Sequence, residues 1–145
     1  MKEVLLWIWQ LPQNILGLWM LLWYKHEKVY HRLNGRTFYY TEEMPSGISL
    51  GNYIIMNRED REDGMRHEYG HSIQSRILGW FYLPVIGVFS LLYNIIDSVI
   101  VTPIVGWEKS MIIYYSMPWE HWADVLGGVE RVGVVAVRKK KICKK

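Results

Sequence analysis

Two long apolar stretches divide the chain. Residues 4–24 read VLLWIWQLPQNILGLWMLLWY, and residues 79–105 read GWFYLPVIGVFSLLYNIIDSVIVTPIV. Each is close to the ~20 residues that one helical membrane crossing takes. In the first, Gln10, Gln13, Asn14 and Gly17 fall on one helical face. A polar stripe of this kind turns toward protein or an aqueous cavity rather than lipid. Pro12 removes a backbone donor and points to a kink. The stretch predicts a membrane-inserted helix whose stripe packs on the rest of the chain. A helix lying in the interface and a buried core helix are the alternatives. A cleaved signal peptide is not expected, because the stretch is long, Glu3 weakens its charged start and no small-residue cleavage site follows. Pro84, Asn94, Asp97 and Pro103 interrupt the second stretch, which predicts a bent or re-entrant apolar segment.

Between the two stretches the pattern changes to strand-like. Residues 28–33 and 37–41 are rich in β-branched and aromatic side chains, and Asn34-Gly35 between them is a strong hairpin signal. A third strand is expected over 48–56, after the turn-forming Pro45-Ser46-Gly47. These segments predict a small antiparallel sheet of about three strands within 28–56. Residues 57–64 (NREDREDG) read as a charged surface loop. A helix is expected over 62–78, an aromatic linker over 111–117, and a helix over 118–127, begun by Pro118 and ended by Gly127-Gly128. Residues 129–137 are β-branched and ambiguous. The fold class is α+β: one membrane-associated domain over 1–137, without internal repeats, followed by a basic tail at 138–145.

Composition sharpens this picture. The 145 residues suffice for one domain with a modest core. Eight Trp and ten Tyr are a heavy aromatic load, of the kind that collects at membrane interfaces. The single cysteine, Cys143, excludes an internal disulfide. The net charge of +3 is local in origin. The tail holds six basic residues, and without them the body has 11 basic and 14 acidic residues, net −3. Such a tail suits an anionic surface, either lipid headgroups or nucleic acid, or reads simply as a solvated end. Nothing else in the chain suggests nucleic-acid binding.

The chemistry is concentrated in His67-Glu68-Tyr69-Gly70-His71, an HExxH pattern. Two histidines four apart share a helix face, so both imidazoles can hold one zinc ion. Glu68 stands beside the first ligand and can take a proton from a metal-activated water. A catalytic zinc needs a third protein ligand and an open position. Downstream, Glu120 and Asp124 are also four apart on one helix face. One carboxylate can complete the metal site, while the other accepts the free N–H of a ligand histidine. Glu108 is a competing third ligand. Tyr114, Tyr115 and His121 are candidate oxyanion donors that read more simply as packing residues. His121 and His26 read as surface histidines.

HExxH paired with a later ExxAD resembles the gluzincin metallopeptidases, closest to the HtpX and CAAX-protease branch. That resemblance implies His67, His71 and Glu120 as zinc ligands, Glu68 as the general base and Asp124 as support for a ligand histidine. The wider segment RHEYGHSIQSRILG, with the later WADVLGG, resembles a set of small uncharacterised bacterial membrane proteins. The chain is much shorter than the larger gluzincins and lacks their several spans.

One ion also constrains topology. His67, His71 and Glu120 must lie on the same side of a bilayer, so the apolar stretch between them must enter and return, lie along the interface or pack inside. Lys25, Lys28, Arg32 and Arg36 follow the first stretch. If that stretch spans, they place the catalytic side in the cytoplasm, at the inner membrane if the bacterial resemblance holds. Asp97 would be costly facing lipid and is expected to cap a helix or face protein. An extended substrate would pair with an edge strand, for which Ile48, Ser49, Leu50, Gly51, Asn52 and Tyr53 are the candidates, with Gly47 and Gly51 permitting close approach. The expected function is a zinc endopeptidase acting on peptides or proteins near the membrane surface, with lipids as its other partner. The alternative is a non-catalytic membrane protein with a structural metal site, closed by His121 or Glu108, or an interaction role.

Overall fold

The computed structural model describes residues 2–30, 37–44, 46–57, 62–132 and 135–136. The first apolar stretch does not form one rod. It folds as α1 (Lys2–Trp9) and α2 (Leu11–Trp23), which meet at 83°. Pro12 sits in the first turn of α2, where its missing N–H interrupts no helical bond. At about 1.5 Å per residue the two pieces are about 12 and 20 Å long, each short of the ~30 Å hydrocarbon layer. Gln10, Gln13, Asn14 and Gly17 are all buried. Gln10 and Gln13 donate to Ser75 Oγ at 2.7 and 3.1 Å, and Gln13 also donates to the Gly79 carbonyl at 2.8 Å. The polar stripe is therefore the face that grips the next long helix.

The sheet has four strands, not three, and is mixed rather than antiparallel. β1 (Glu27–Tyr30) and β2 (Thr37–Thr41) pair antiparallel, with Glu27 opposite Tyr40 and Tyr30 opposite Thr37. The Asn34-Gly35 turn expected between them lies outside the described residues, as do half of the charged loop (58–61) and the basic tail. The third expected strand is two, β3 (Ile48–Leu50) and β4 (Tyr53–Asn57), joined by a two-residue turn at Gly51-Asn52. Gly51 has φ +64°, which suits that tight connection. Asn14 Oδ1 accepts the Asn52 N–H at 2.9 Å and pins the turn to α2. The strand order is β1-β2-β4-β3, with β2 and β4 parallel. The run Ile54, Ile55, Met56 is buried throughout, as a strand covered on both faces must be. β3 is left at the edge.

Helix α3 (Glu62–Leu78) has Glu62 and Asp63 in its first turn and Arg76 in its last, which complements the helix dipole. Gly79, at φ +54°, ends it. Phe38, Ile54 and Met56 form the buried cluster, with Tyr40 and Met65 packed against it, so one sheet face rests on α3. The other partner of α3 is the helix Pro118–Gly127, the Glu120 helix. Their approach is set by glycines. A Cβ on Gly70 would lie 1.9 Å from the Ala123 carbonyl oxygen, and one on Gly127 would lie 2.0 Å from that of Arg66.

The second apolar stretch is neither bent nor re-entrant. Leu83–Val105 is one helix of 23 residues, called the arm below, long and apolar enough to cross a membrane. Two π-helical turns, Leu83–Gly87 and Asp97–Val101, lie at or just before Pro84 and Pro103. Such turns absorb the hydrogen bond a proline cannot make, so the helix continues. The reversal comes at Gly106, with φ +85°. The segment expected as an aromatic linker is the return helix Trp107–Ser116. Ser110 Oγ donates to both Asp97 oxygens at 2.6 and 2.7 Å, and Thr102 donates to Oδ2 at 3.1 Å. Asp97 thus faces protein. The chain runs out along the arm and back along the return helix, with the turn at Gly106, one residue past the apolar stretch. Beyond the Glu120 helix, β5 (Arg131–Val132) and β6 (Val135–Ala136) form a short hairpin.

The glycine contacts give a direct test. Gly70→Ala forces the helices apart and should lower stability by about 2 kcal/mol or more. Gly87→Ala, whose Cβ would meet its nearest atom at 3.4 Å, should stay within about 0.5 kcal/mol of the parent. Thermal unfolding of the two variants reads the difference, and equal melting temperatures would contradict the close-packing account.

Candidate metal centre

α3 presents His67 and His71 on one face, and the Glu120 helix presents Glu120 to them. His67 Nε2, His71 Nε2 and Glu120 Oε2 form a triangle with all three edges at 3.1 Å. All three residues are buried, Glu120 completely. A tetrahedral zinc ion, with bonds of about 2.0–2.2 Å, holds its donors about 3.3 Å apart, so the triangle has the right size.

The surrounding bonds decide what these three atoms are. Gln74 Nε2 donates to the Trp119 carbonyl at 2.7 Å, which turns Gln74 Oε1 toward His71 Nδ1 at 2.8 Å. His71 Nδ1 must then carry the proton. His67 Nδ1 meets Asp124 Oδ1 at 2.7 Å and carries its proton there. In the neutral ring each Nε2 is therefore a bare lone pair. Two lone pairs and a carboxylate oxygen converge on one point with no hydrogen among them. Such a group is repulsive unless a cation joins it. The residues therefore fit a metal ion.

The support reaches further on each side. Ser90 Oγ and Tyr114 O–H both donate to Glu120 Oε1, the latter at 3.0 Å, leaving Oε2 for the centre. Burial, with the charge of Glu120, raises the Tyr114 pKa and keeps its hydroxyl a donor. Arg131 holds Asp124 through bonds of 2.6 and 3.1 Å and lies 3.5 Å over the Tyr115 ring. Gly128, at φ +70°, turns the chain so that Arg131 comes back to Asp124. Burial would raise the Asp124 pKa, but its bonds to His67 and Arg131 outweigh it and lower it. Burial likewise disfavours charge on His67, yet the bonds to Asp124 and Glu120 and the charges of Glu68 and Glu120 raise it to about 9. Glu120 is lowered in turn by both histidines. Without metal, a proton on His67 is the cation that the cluster takes up.

His67, Glu68 and His71 open on a cavity of about 390 Å³. Gly47 approaches Glu68 so closely that a Cβ there would lie 2.8 Å from Glu68 Cγ. The expected substrate strand is divided. Ile48, Ser49 and Leu50 line the cavity. Gly51 and Asn52 are taken up by Asn14, and Tyr53 packs against Gly17, so these three face α2. Tyr82 O–H also donates to the Ser49 carbonyl at 3.0 Å, occupying one acceptor of that edge. Of the candidate oxyanion donors, Tyr114 is committed to Glu120, Tyr115 lines the cavity beside His67, and His121 is exposed. Glu108 is exposed too and lies in the first turn of the return helix, away from the triangle. Gln74, Ser90 and Arg131 escape a reading of the sequence. The spacing of Gln74, three after His71, is the one local signal that could have revealed any of them.

No protein-family model, curated protein or solved structure matches this chain.

Zinc needs the unprotonated Nε2 of His67, whereas the metal-free site holds a proton there below pH about 9. Binding at pH 7 should therefore release about one proton from His67, and affinity should fall about tenfold per pH unit as pH drops. Titration calorimetry in buffers of different ionisation enthalpy measures this, and zero proton release would contradict the assignment.

Proposed function

We propose that the protein is a zinc-dependent endopeptidase of the gluzincin type. The observation that carries this reading is the convergence of His67, His71 and Glu120 on one point, with Glu68 beside them on an accessible cavity. Among the described residues no fourth histidine, cysteine or acid joins the three. That favours an open coordination position over the closed shell of a structural site. His121 and Glu108, the two side chains expected to close a structural site, are exposed.

Zinc at this position would supply Lewis acidity and lower the pKa of a bound water toward neutrality. The chain's own residues do the rest. Glu68 takes a proton from the attacking water and returns it to the leaving amine. Asp124 and Gln74 hold the two imidazoles in the tautomer that leaves Nε2 bare, and Arg131 keeps Asp124 ionised and in place. Ser90 and Tyr114 hold Glu120 to one oxygen. The β3 edge from Gly47 to Leu50 lies along the cavity, where an extended peptide can pair with it.

The protein acts at a membrane in this reading. Only 6% of the arm's apolar window is buried within the protein. Leu91, Val99 and Ile104 are each more than three-fifths exposed, and so are Leu22 and Trp23 on α2. An apolar surface this extensive needs a covering, and lipid supplies one. The basic tail and the cluster after α2 favour the cytoplasmic side.

Glu68→Gln should retain one zinc per chain and lower turnover of a fluorogenic peptide by at least 10³-fold. Turnover that survives this change would refute the mechanism. On fractionation of expressing cells, the protein should stay in the membrane pellet after an alkaline carbonate wash; release into the supernatant would refute the membrane reading.

A further inference from the structure

The arm carries one carboxylate, and the mechanism does not use it. Asp97 lies on the polar inner line of the arm and lines the same cavity as His67 and His71. Its partners are neutral. Ser110 O–H is shared between the two carboxylate oxygens, and Thr102 O–H meets Oδ2. Two hydroxyl protons thus serve four acceptor positions. Among the described residues no cation pairs with Asp97, and no lysine or arginine lines the cavity. A carboxylate whose direct partners are all neutral hydroxyls keeps its charge uncompensated, and a cationic ligand head in the cavity would compensate it.

The distance from the centre is set by helix geometry. Ser90, Asn94 and Asp97 stand at i, i+4 and i+7, on one face, and all three line the cavity. Ser90 touches Glu120, and Asp97 is seven residues further along, about 10 Å. A lysine side chain reaches about 6 Å beyond its Cα, and one hydrogen bond adds about 3 Å. A substrate with its scissile carbonyl at the metal centre could therefore place a lysine or arginine head on Asp97. Its aliphatic stem would run past Leu91 and Met111, which also line the cavity.

We propose that Asp97 is a specificity-determining residue, which selects substrates with a lysine or arginine at the residue bearing the scissile carbonyl. This rests on the peptidase reading and names the substrate class for that site. Ser110 and Thr102 fix the carboxylate so that it is aimed before the substrate arrives. The bond from Ser110 also ties the arm to the return helix, so Asp97 serves the hairpin as well.

The test uses the zinc-loaded full chain carrying Glu68→Gln, titrated with Nα-acetyl-lysine hydroxamate and with its neutral norleucine counterpart. The lysine compound should bind at least tenfold tighter. Adding Asp97→Asn, which keeps the shape and the acceptor for Ser110, should bring the ratio to within about twofold at unchanged zinc content. The parent ratio needs no change at position 97, so it stands even if that variant fails to fold. Equal affinity in the parent, or a preference that survives Asp97→Asn, overturns the proposal. A lysine preference in a protein that cleaves no peptide before Glu68 is changed would overturn the peptidase reading alone, and a chain that binds no zinc overturns both.

Discussion

Three electron-rich atoms held 3.1 Å apart, with both histidine protons drawn off to the far side, are the constraint around which the fold is arranged. The group cannot be assembled by one helix. α3 supplies two members and fixes their spacing, but the third must arrive from another helix at nearly backbone contact. Gly70 and Gly127 permit that contact because they have no Cβ. Gly70 lies between His67 and His71 and meets Ala123, which lies between Glu120 and Asp124. The closest approach of the helices and the meeting point of the ligands are therefore the same place. A larger residue there would separate the ligands as it separated the backbones.

The remaining elements act on that meeting from outside. The arm leaves the end of α3, passes Glu120 at Ser90, and continues to Gly106. The return helix then brings Tyr114 back to the same carboxylate and delivers the chain to Pro118. Glu120 is thus gripped by both limbs of one hairpin. The outer faces of that hairpin are apolar and uncovered, while its inner line carries Ser90, Asn94, Asp97, Ser110 and Tyr114. The two properties belong together. With the apolar side chains on its outer face, the hairpin keeps its inner face for hydrogen bonds between its two limbs and to Glu120. On the other flank, α2 grips α3 through Gln10, Gln13 and Ser75, again with polar groups inward and Leu22 and Trp23 outward.

How much of this was legible in the sequence follows from the range of each interaction. Separations of four residues are local helix geometry, so HExxH and ExxAD can be read directly, and the face formed by Gln10, Gln13, Asn14 and Gly17 can be read the same way. That His67 meets Glu120 is a contact across 53 positions, visible in the sequence only through the chemical demand for a third ligand and the family likeness of the paired motifs. The partners that finish the site are harder still, since Ser90 and Arg131 are common polar residues whose roles exist only once the helices are packed. Pro84 and Pro103 are absorbed by π turns and leave the arm continuous, whereas Pro12, in the first turn of α2, does mark a bend, the 83° break just before it. The chain bends by 83° at Gln10 and reverses at Gly106. Only Gly106 has the positive φ that announces a reversal, and a lone glycine after a long apolar run does not reveal that angle in sequence. The split of the third strand was legible in principle, because Gly51-Asn52 is a two-residue hairpin turn. The apolar run on either side hid it, since β3 at the edge and β4 at the centre read as one continuous strand.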